Sequence, residues 1–90
     1  MKCTFEILYS DKVQKVGFRA YVKNIGKTLG LTGDVRNLDD GRVRVLVTVD
    51  DEIMIDKFMS MISCCPNTII RNVSVSKFVL TEFQDFNISM

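Results

Sequence analysis

The chain contains no histidine, no tryptophan and a single proline. Without imidazole, neither a Ser-His-Asp nor a Cys-His nucleophile system can be assembled, and a His-containing zinc site is equally excluded. Any hydrolysis must run without a histidine base. Long apolar runs are also missing. None approaches the roughly 20 residues needed to cross a bilayer, so no membrane association is expected. The N-terminal "MKCTFEILYSDK" has one lysine, then an apolar stretch interrupted by Glu6. It reads as a strand rather than a secretory leader, and the expected compartment is the cytoplasm. An excess of one charge sign is lacking too, since the net charge is +1. That excludes a general electrostatic case for nucleic acid, an anionic membrane or an acidic partner. Anion recognition must therefore rest on a few locally placed groups. Cysteine is sparse: Cys3, Cys64 and Cys65 form an odd set with an adjacent pair. That is no disulfide framework, and the thiols read as reduced, in keeping with the cytoplasm.

What is present is an ordinary globular composition, 47% apolar and 26% charged over 90 residues. This suits one small domain over 1–90 with one core. Residues 2–9 place Cys3, Phe5, Ile7 and Tyr9 on one face of a strand. Phe18, Val22, Ile25 and Leu29 then form one stripe of a helix over about 17–29, with Gly30 as its stop. Val35 belongs to a second strand. Asp39-Asp40-Gly41 signals a hairpin into a third, where Val43, Val45, Val47 and Val49 alternate with Arg44, Leu46 and Thr48. Asp50-Asp51-Glu52 opens a second helix, one Asp acting as cap. The competing reading of this run, a metal site, has no clustered partner to support it. Ile55, Phe58, Met59 and Ile62 make this helix's apolar stripe, and Pro66 ends it. A fourth strand is expected over 69–80, with Val73, Val75 and Val79 on one face. Phe83, Phe86 and Ile88 suggest a short edge strand in the tail. The order β-α-β-β-α-β implies an α+β, ferredoxin-like α/β sandwich. Two helices cover one face of a mostly antiparallel sheet.

The stretch "DKVQKVGFR", residues 11–19, joins the first strand to the first helix. Its backbone N–H groups from Val13 through Gln14, Lys15, Val16 and Gly17 to Phe18 can point inward as a nest. The helix start adds unpaired donors at the positive end of its dipole. Arg19 adds a permanently charged planar fork suited to phosphate oxygens. Taken alone, this pattern also fits a solvated arginine in a first helical turn.

Two motifs, with a helix end between them, narrow the choice. The segment Asp11-Lys12-Val13-Gln14-Lys15-Val16-Gly17-Phe18-Arg19 resembles the Gly-x-Val-Gln-Gly-Val-x-Phe-Arg loop of the acylphosphatase family. Leu29-Gly30-Leu31-Thr32-Gly33 is similar to that family's Leu-Gly-Leu-x-Gly. Val35-Arg36-Asn37-Leu38-Asp39-Asp40-Gly41-Arg42-Val43 is similar to its Val-x-Asn-x-x-Asp-Gly-x-Val. Residues 5–50 carry the resemblance. It implies hydrolysis of the carboxyl–phosphate bond of acyl phosphates, releasing inorganic phosphate. By motif position, Arg19 looks like the phosphate-binding arginine and Asn37 like the asparagine that orients the attacking water. Residues 13–19 look like the phosphate-binding loop. Such a catalyst needs no cofactor or metal, and the size suits a monomer acting on a small molecule.

Three positions depart from the pattern. Asp11 and Lys15 stand at the loop's two glycines, and Asp34 stands where the family commonly has an aromatic residue. If position 15 takes left-handed backbone geometry, lysine costs about 1–2 kcal/mol there. The alternative function is therefore a catalytically silent acylphosphatase-like module that binds an anion or a protein. Retention of both Arg19 and Asn37 favours the hydrolase. RNA binding, which uses the same element order, needs exposed aromatics on the central strands. The third strand, "VRVLVTV", supplies none.

Overall fold

The computed structural model describes residues 1–12, 17–65 and 69–89. Strand β1 spans Cys3–Lys12, helix α1 Phe18–Thr28, β2 Thr32–Asn37 and β3 Val43–Val49. Helix α2 spans Ile53–Ile62, β4 Ile69–Phe78 and β5 Phe86–Ser89. The strands form one sheet in the order β4-β1-β3-β2-β5. Every neighbouring pair is antiparallel except β2 and β5, which run parallel.

Period-2 patterning explains the register. Phe5, Ile7 and Tyr9 of β1 lie opposite Val47, Val45 and Val43 of β3. All six are buried beneath Phe18, Val22 and Ile25 of α1 and Ile55, Phe58 and Ile62 of α2. Each such side chain contributes about 1.5–3 kcal/mol on burial. A one-residue slip would turn the whole set to water, so this register wins over its neighbours. The other face of β1 and β3 carries Thr4, Glu6 and Leu8 beside Thr48, Leu46 and Arg44. There Arg44 Nε donates to Glu6 Oε2 at 2.8 Å, and its guanidinium lies 5.3 Å from the centre of the Phe78 ring.

The helix ends follow local chemistry. After α1, Gly30 at φ +73° lets its N–H reach Lys27 O at 3.1 Å and that of Leu31 reach Gly26 O at 2.8 Å. This left-handed C-terminal motif buries Leu31 against the core. Asp51 Oδ1 accepts from the Ile53 N–H at 3.1 Å in the turn that leads into α2, whose N-cap is Glu52 without a side-chain bond, so the expected Asp cap sits one residue ahead of the N-cap.

The structure corrects the sequence reading at three places. β1 does not stop at residue 9. It continues past an irregularity between Ser10 and Asp11, where Asp11 pairs with Ile70 and Lys12 with Ile69. Asp11 and Lys12 are therefore strand backbone rather than loop, because the ten-residue β4 offers them a partner. β4 ends at Phe78, so Val79 lies beyond it and is 73% exposed. Val73 and Val75 face the helix side but stay 42% exposed, since β4 is the sheet's outer strand.

The tail makes a fifth strand around Phe86, parallel to β2. To reach that far edge, the chain from Val79 to Asp85 crosses the sheet. The crossing is held by a threonine cluster on the open face. Thr4 Oγ1 and Thr48 Oγ1 are 2.7 Å apart, Thr48 Oγ1 donates to Thr81 O at 2.6 Å, and the Thr81 N–H donates to Thr4 Oγ1 at 3.0 Å. Both Thr4 and Thr48 are buried by this crossing.

Candidate active site

Strand direction assembles the site. β1 and β2 each run antiparallel to β3, and β5 runs parallel to β2. The C-terminal ends of β1, β2 and β5 therefore lie at one end of the sheet. α1 starts after β1 and must begin at that same end. Arg19, in the first turn of α1, and Asn37, the last residue of β2, are thus brought to one end from 18 positions apart.

Gly17 forms the N-cap of α1 at φ +75°, ψ 18°. An L-residue in this left-handed region pays about 1–2 kcal/mol, so glycine is the fitting residue here. Its carbonyl accepts the first helical bond, from Tyr21 N at 3.0 Å. The N–H groups of Phe18, Arg19 and Ala20 precede that bond and have no intrahelical acceptor. No acidic residue occupies the first turn, and Gly17 makes no side-chain cap. Among the described residues nothing caps those donors, and they and the dipole suit an anion. The half-buried Arg19 lines a cavity of about 160 Å³ with Gly17, Phe18, Ala20 and Ile88. Ile88 enters from β5, where it lies beside Val35.

Phe18 has a different task. Its side chain is fully buried, and its ring meets Tyr9 edge-on at 5.1 Å and 72°. It anchors the helix start to β1, and only its N–H is placed to serve a ligand. Asn37 lies opposite Val43, on the helix side of the sheet. Its Oδ1 is buried and has no hydrogen-bond partner among the described residues. Across Val43 on the other side stands Tyr9, whose hydroxyl is likewise buried and unpartnered. Burial pushes the Tyr9 phenol well above its ordinary pKa, so it remains a neutral O–H.

Other expectations sort themselves by position. Val13, Gln14, Lys15 and Val16 of the expected loop lie outside the described residues. Asp34 lies opposite Leu46 on the open face, where its Oδ1 accepts from Ser89 Oγ. Its carboxylate points away from the helix side that carries Asn37. A larger cavity, about 460 Å³, sits at the other end of β1 and mixes Asp50, Asp51 and Glu52 with Lys2 and Lys77. It holds none of the expected site residues. Tyr9 and Ile88 entered the sequence reading only as strand residues. Nothing local marked them, because their neighbours at the site come from other elements.

The acylphosphatase family model matches residues 5–88. The chain belongs to the acylphosphatase family. An acylphosphatase from Archaeoglobus fulgidus is 38% identical over 85 residues, covering 93% of this chain and 94% of that protein. Among solved structures, the acylphosphatase from Bacillus subtilis superposes with TM-score 0.88 at 29% identity, over 100% of both chains. That from Coxiella burnetii superposes with TM-score 0.89 at 27% identity, over 98% of this chain and 93% of its own. The family match extends beyond the two motifs at residues 5–50 and takes in α2, β4 and β5. Membership of the acylphosphatase family supports a hydrolase. The ferredoxin-like α+β fold agrees with these neighbours, including its mixed five-stranded sheet.

Proposed function

We propose that the protein hydrolyses the carboxyl–phosphate bond of small acyl phosphates, with Arg19 binding the phosphoryl group and Asn37 orienting the water. The observation that supports this most is the shared sheet end. A cation and free helix N–H donors from α1 share it with a carboxamide from β2. The N–H groups of the first turn and of residues 13–17 hold the non-bridging phosphoryl oxygens, together with the Arg19 fork. Water attacks phosphorus in line with the departing carboxylate. The new P–O bond forms as the bond to the acyl oxygen breaks, the carboxylate leaves with that electron pair, and the attacking water gives its proton to solvent. A carboxylate leaves readily and needs little acid help. The protein's contribution is therefore position and charge stabilisation rather than proton transfer. An amide cannot act as a strong base, but it can hold a water. The reading takes the protein as a cytoplasmic monomer whose Cys3, Cys64 and Cys65 stay free thiols.

Turnover of benzoyl phosphate by the purified protein tests the proposal. Arg19→Ala should weaken phosphate binding and lower turnover by about 10²–10³-fold, the usual effect of losing a donor to developing charge. Asn37→Ala should lower turnover while sparing phosphate affinity. Absence of turnover, together with no phosphate binding by calorimetry, overturns the reading. Equal loss of phosphate binding in both variants overturns the division of labour.

A further inference from the structure

Among the described residues, two buried polar atoms stand unsatisfied, the Tyr9 hydroxyl and Asn37 Oδ1. They are chemically complementary, one an O–H donor and the other a carbonyl acceptor. They are also neighbours by register. Tyr9 and Asn37 both lie opposite Val43, one on each side, and all three face the helices. Two strand spacings separate their backbones, about 10 Å, and a tyrosine side chain is long enough to cross most of that span over a small valine. The Tyr9 ring has little freedom of its own, being 2% exposed and held edge-on by Phe18. A buried group left alone costs about 1–3 kcal/mol, and one bond between these two, direct or through a single water, removes both costs.

We infer that Tyr9 is the positioning residue for Asn37, its hydroxyl donating to the Asn37 carboxamide oxygen when phosphate occupies the site. This assignment rests on the proposed hydrolysis for its consequence but not for its geometry. With Oδ1 engaged by Tyr9, the amide N–H₂ is turned away from β1, toward the β5 side of the sheet where Ile88 and Arg19 line the cavity. There it donates to one lone pair of the attacking water and leaves the other free for phosphorus. Without the tyrosine hydroxyl the amide can turn over, because its two ends are nearly equal in shape. Tyr9 itself touches neither substrate nor the attacking water. The neutral phenol fits the role, since burial keeps its proton in place.

Tyr9→Phe removes a single oxygen and tests this directly. The expected result with benzoyl phosphate is a fall in kcat of about tenfold, with KM and phosphate affinity held within about twofold. Melting temperature should stay level or rise, because an unpaired buried hydroxyl has been deleted. In an Asn37→Ala background, Tyr9→Phe should have no further effect on kcat. A purely structural tyrosine would instead leave kcat intact, or lower it equally in both backgrounds, and either result overturns the inference. The side-chain amide resonances of Asn37, followed by NMR in phosphate-saturated protein, give a readout independent of activity. They should differ between wild type and Tyr9→Phe, and unchanged resonances overturn the assignment. A wild-type protein that does not turn over benzoyl phosphate sinks the hydrolase reading, while the amide resonances still decide the role of Tyr9.

Discussion

Replacing Gly26 with alanine should destabilise this protein, against the ordinary rule for helices. In a helix interior, Gly→Ala gains about 1 kcal/mol. Gly26 lies in α1 facing β5, and a Cβ built there runs into the Phe86 ring. That ring is fully buried, and on its other side a Cβ at Gly33 would meet Phe86 Cε2 at 3.0 Å. Phe58 closes the slot with its ring centre 6.0 Å away. The ring therefore has little room to yield, and overpacking of this kind costs about 1–3 kcal/mol, occasionally more. Net of the propensity gain, Gly26→Ala should lose up to about 2 kcal/mol, a drop in Tm of up to roughly 16 °C for a domain of this size. Phe86 is the only buried residue of β5, so Phe86→Ala should itself cost about 3–5 kcal/mol. In that background the slot is empty, and Gly26→Ala should stabilise by up to about 1 kcal/mol. The sign reversal is the decisive feature. Urea denaturation of the four proteins, followed by circular dichroism, measures it as a double-mutant cycle. If Gly26→Ala stabilises the wild type as well, the Phe86 ring does not fill the space between α1 and β2, and the account of how β5 docks fails.

Thr4→Val should cost about 1–3 kcal/mol in thermal denaturation, because it strips the Thr81 N–H of its acceptor where the chain crosses the sheet. Full stability in this variant would mean that the threonine cluster does not hold the crossing. The Asp85 carboxyl is held below its usual pKa, first by the Phe86 backbone N–H at 2.8 Å and then by Lys27. A depressed folded pKa stabilises above the unfolded value and is lost as pH falls through the folded one. Asp85→Asn should therefore flatten the stability curve below about pH 4, and an unaltered acid limb refutes this. If lysine at position 15, where the family pattern has glycine, handicaps the proposed hydrolysis, Lys15→Gly should raise benzoyl phosphate turnover. Unchanged turnover would mean that lysine fits the loop without strain.

Much of this molecule is written in local pattern. The alternation of Val43, Val45, Val47 and Val49 declares a strand with one buried face, and all four are buried. The stop at Gly30, the Asp51 turn before α2 and the stripe of Phe18, Val22 and Ile25 depend on neighbours within a turn or two. Arg19 and Asn37 were nameable for the same reason, since each sits in a contiguous motif.

Other features depend on residues far apart in the chain. A period of two says which face a strand buries, but not which strands flank it. Val73 and Val75 alternate as core residues should, yet sit half-exposed because β4 has a neighbour on one side only. Asp11 and Lys12 look like loop until β4 supplies their partner. The parallel pairing of β5 with β2 follows from where the crossing chain lands, and Phe86 finds its slot only after α1 and β2 approach through two glycines. Tyr9 and Asn37 became neighbours through a third strand that pairs with both. The sequence by itself determined the elements and most of their buried faces, and it named candidate residues for the proposed phosphate chemistry, because short-range sterics and apolar periodicity act within each segment. Strand order, the edge, and the placing of Tyr9, Asn37 and the start of α1 at one end of the sheet were decided by tertiary structure alone. Those depend on which distant surfaces bury one another, a free energy that no single segment contains.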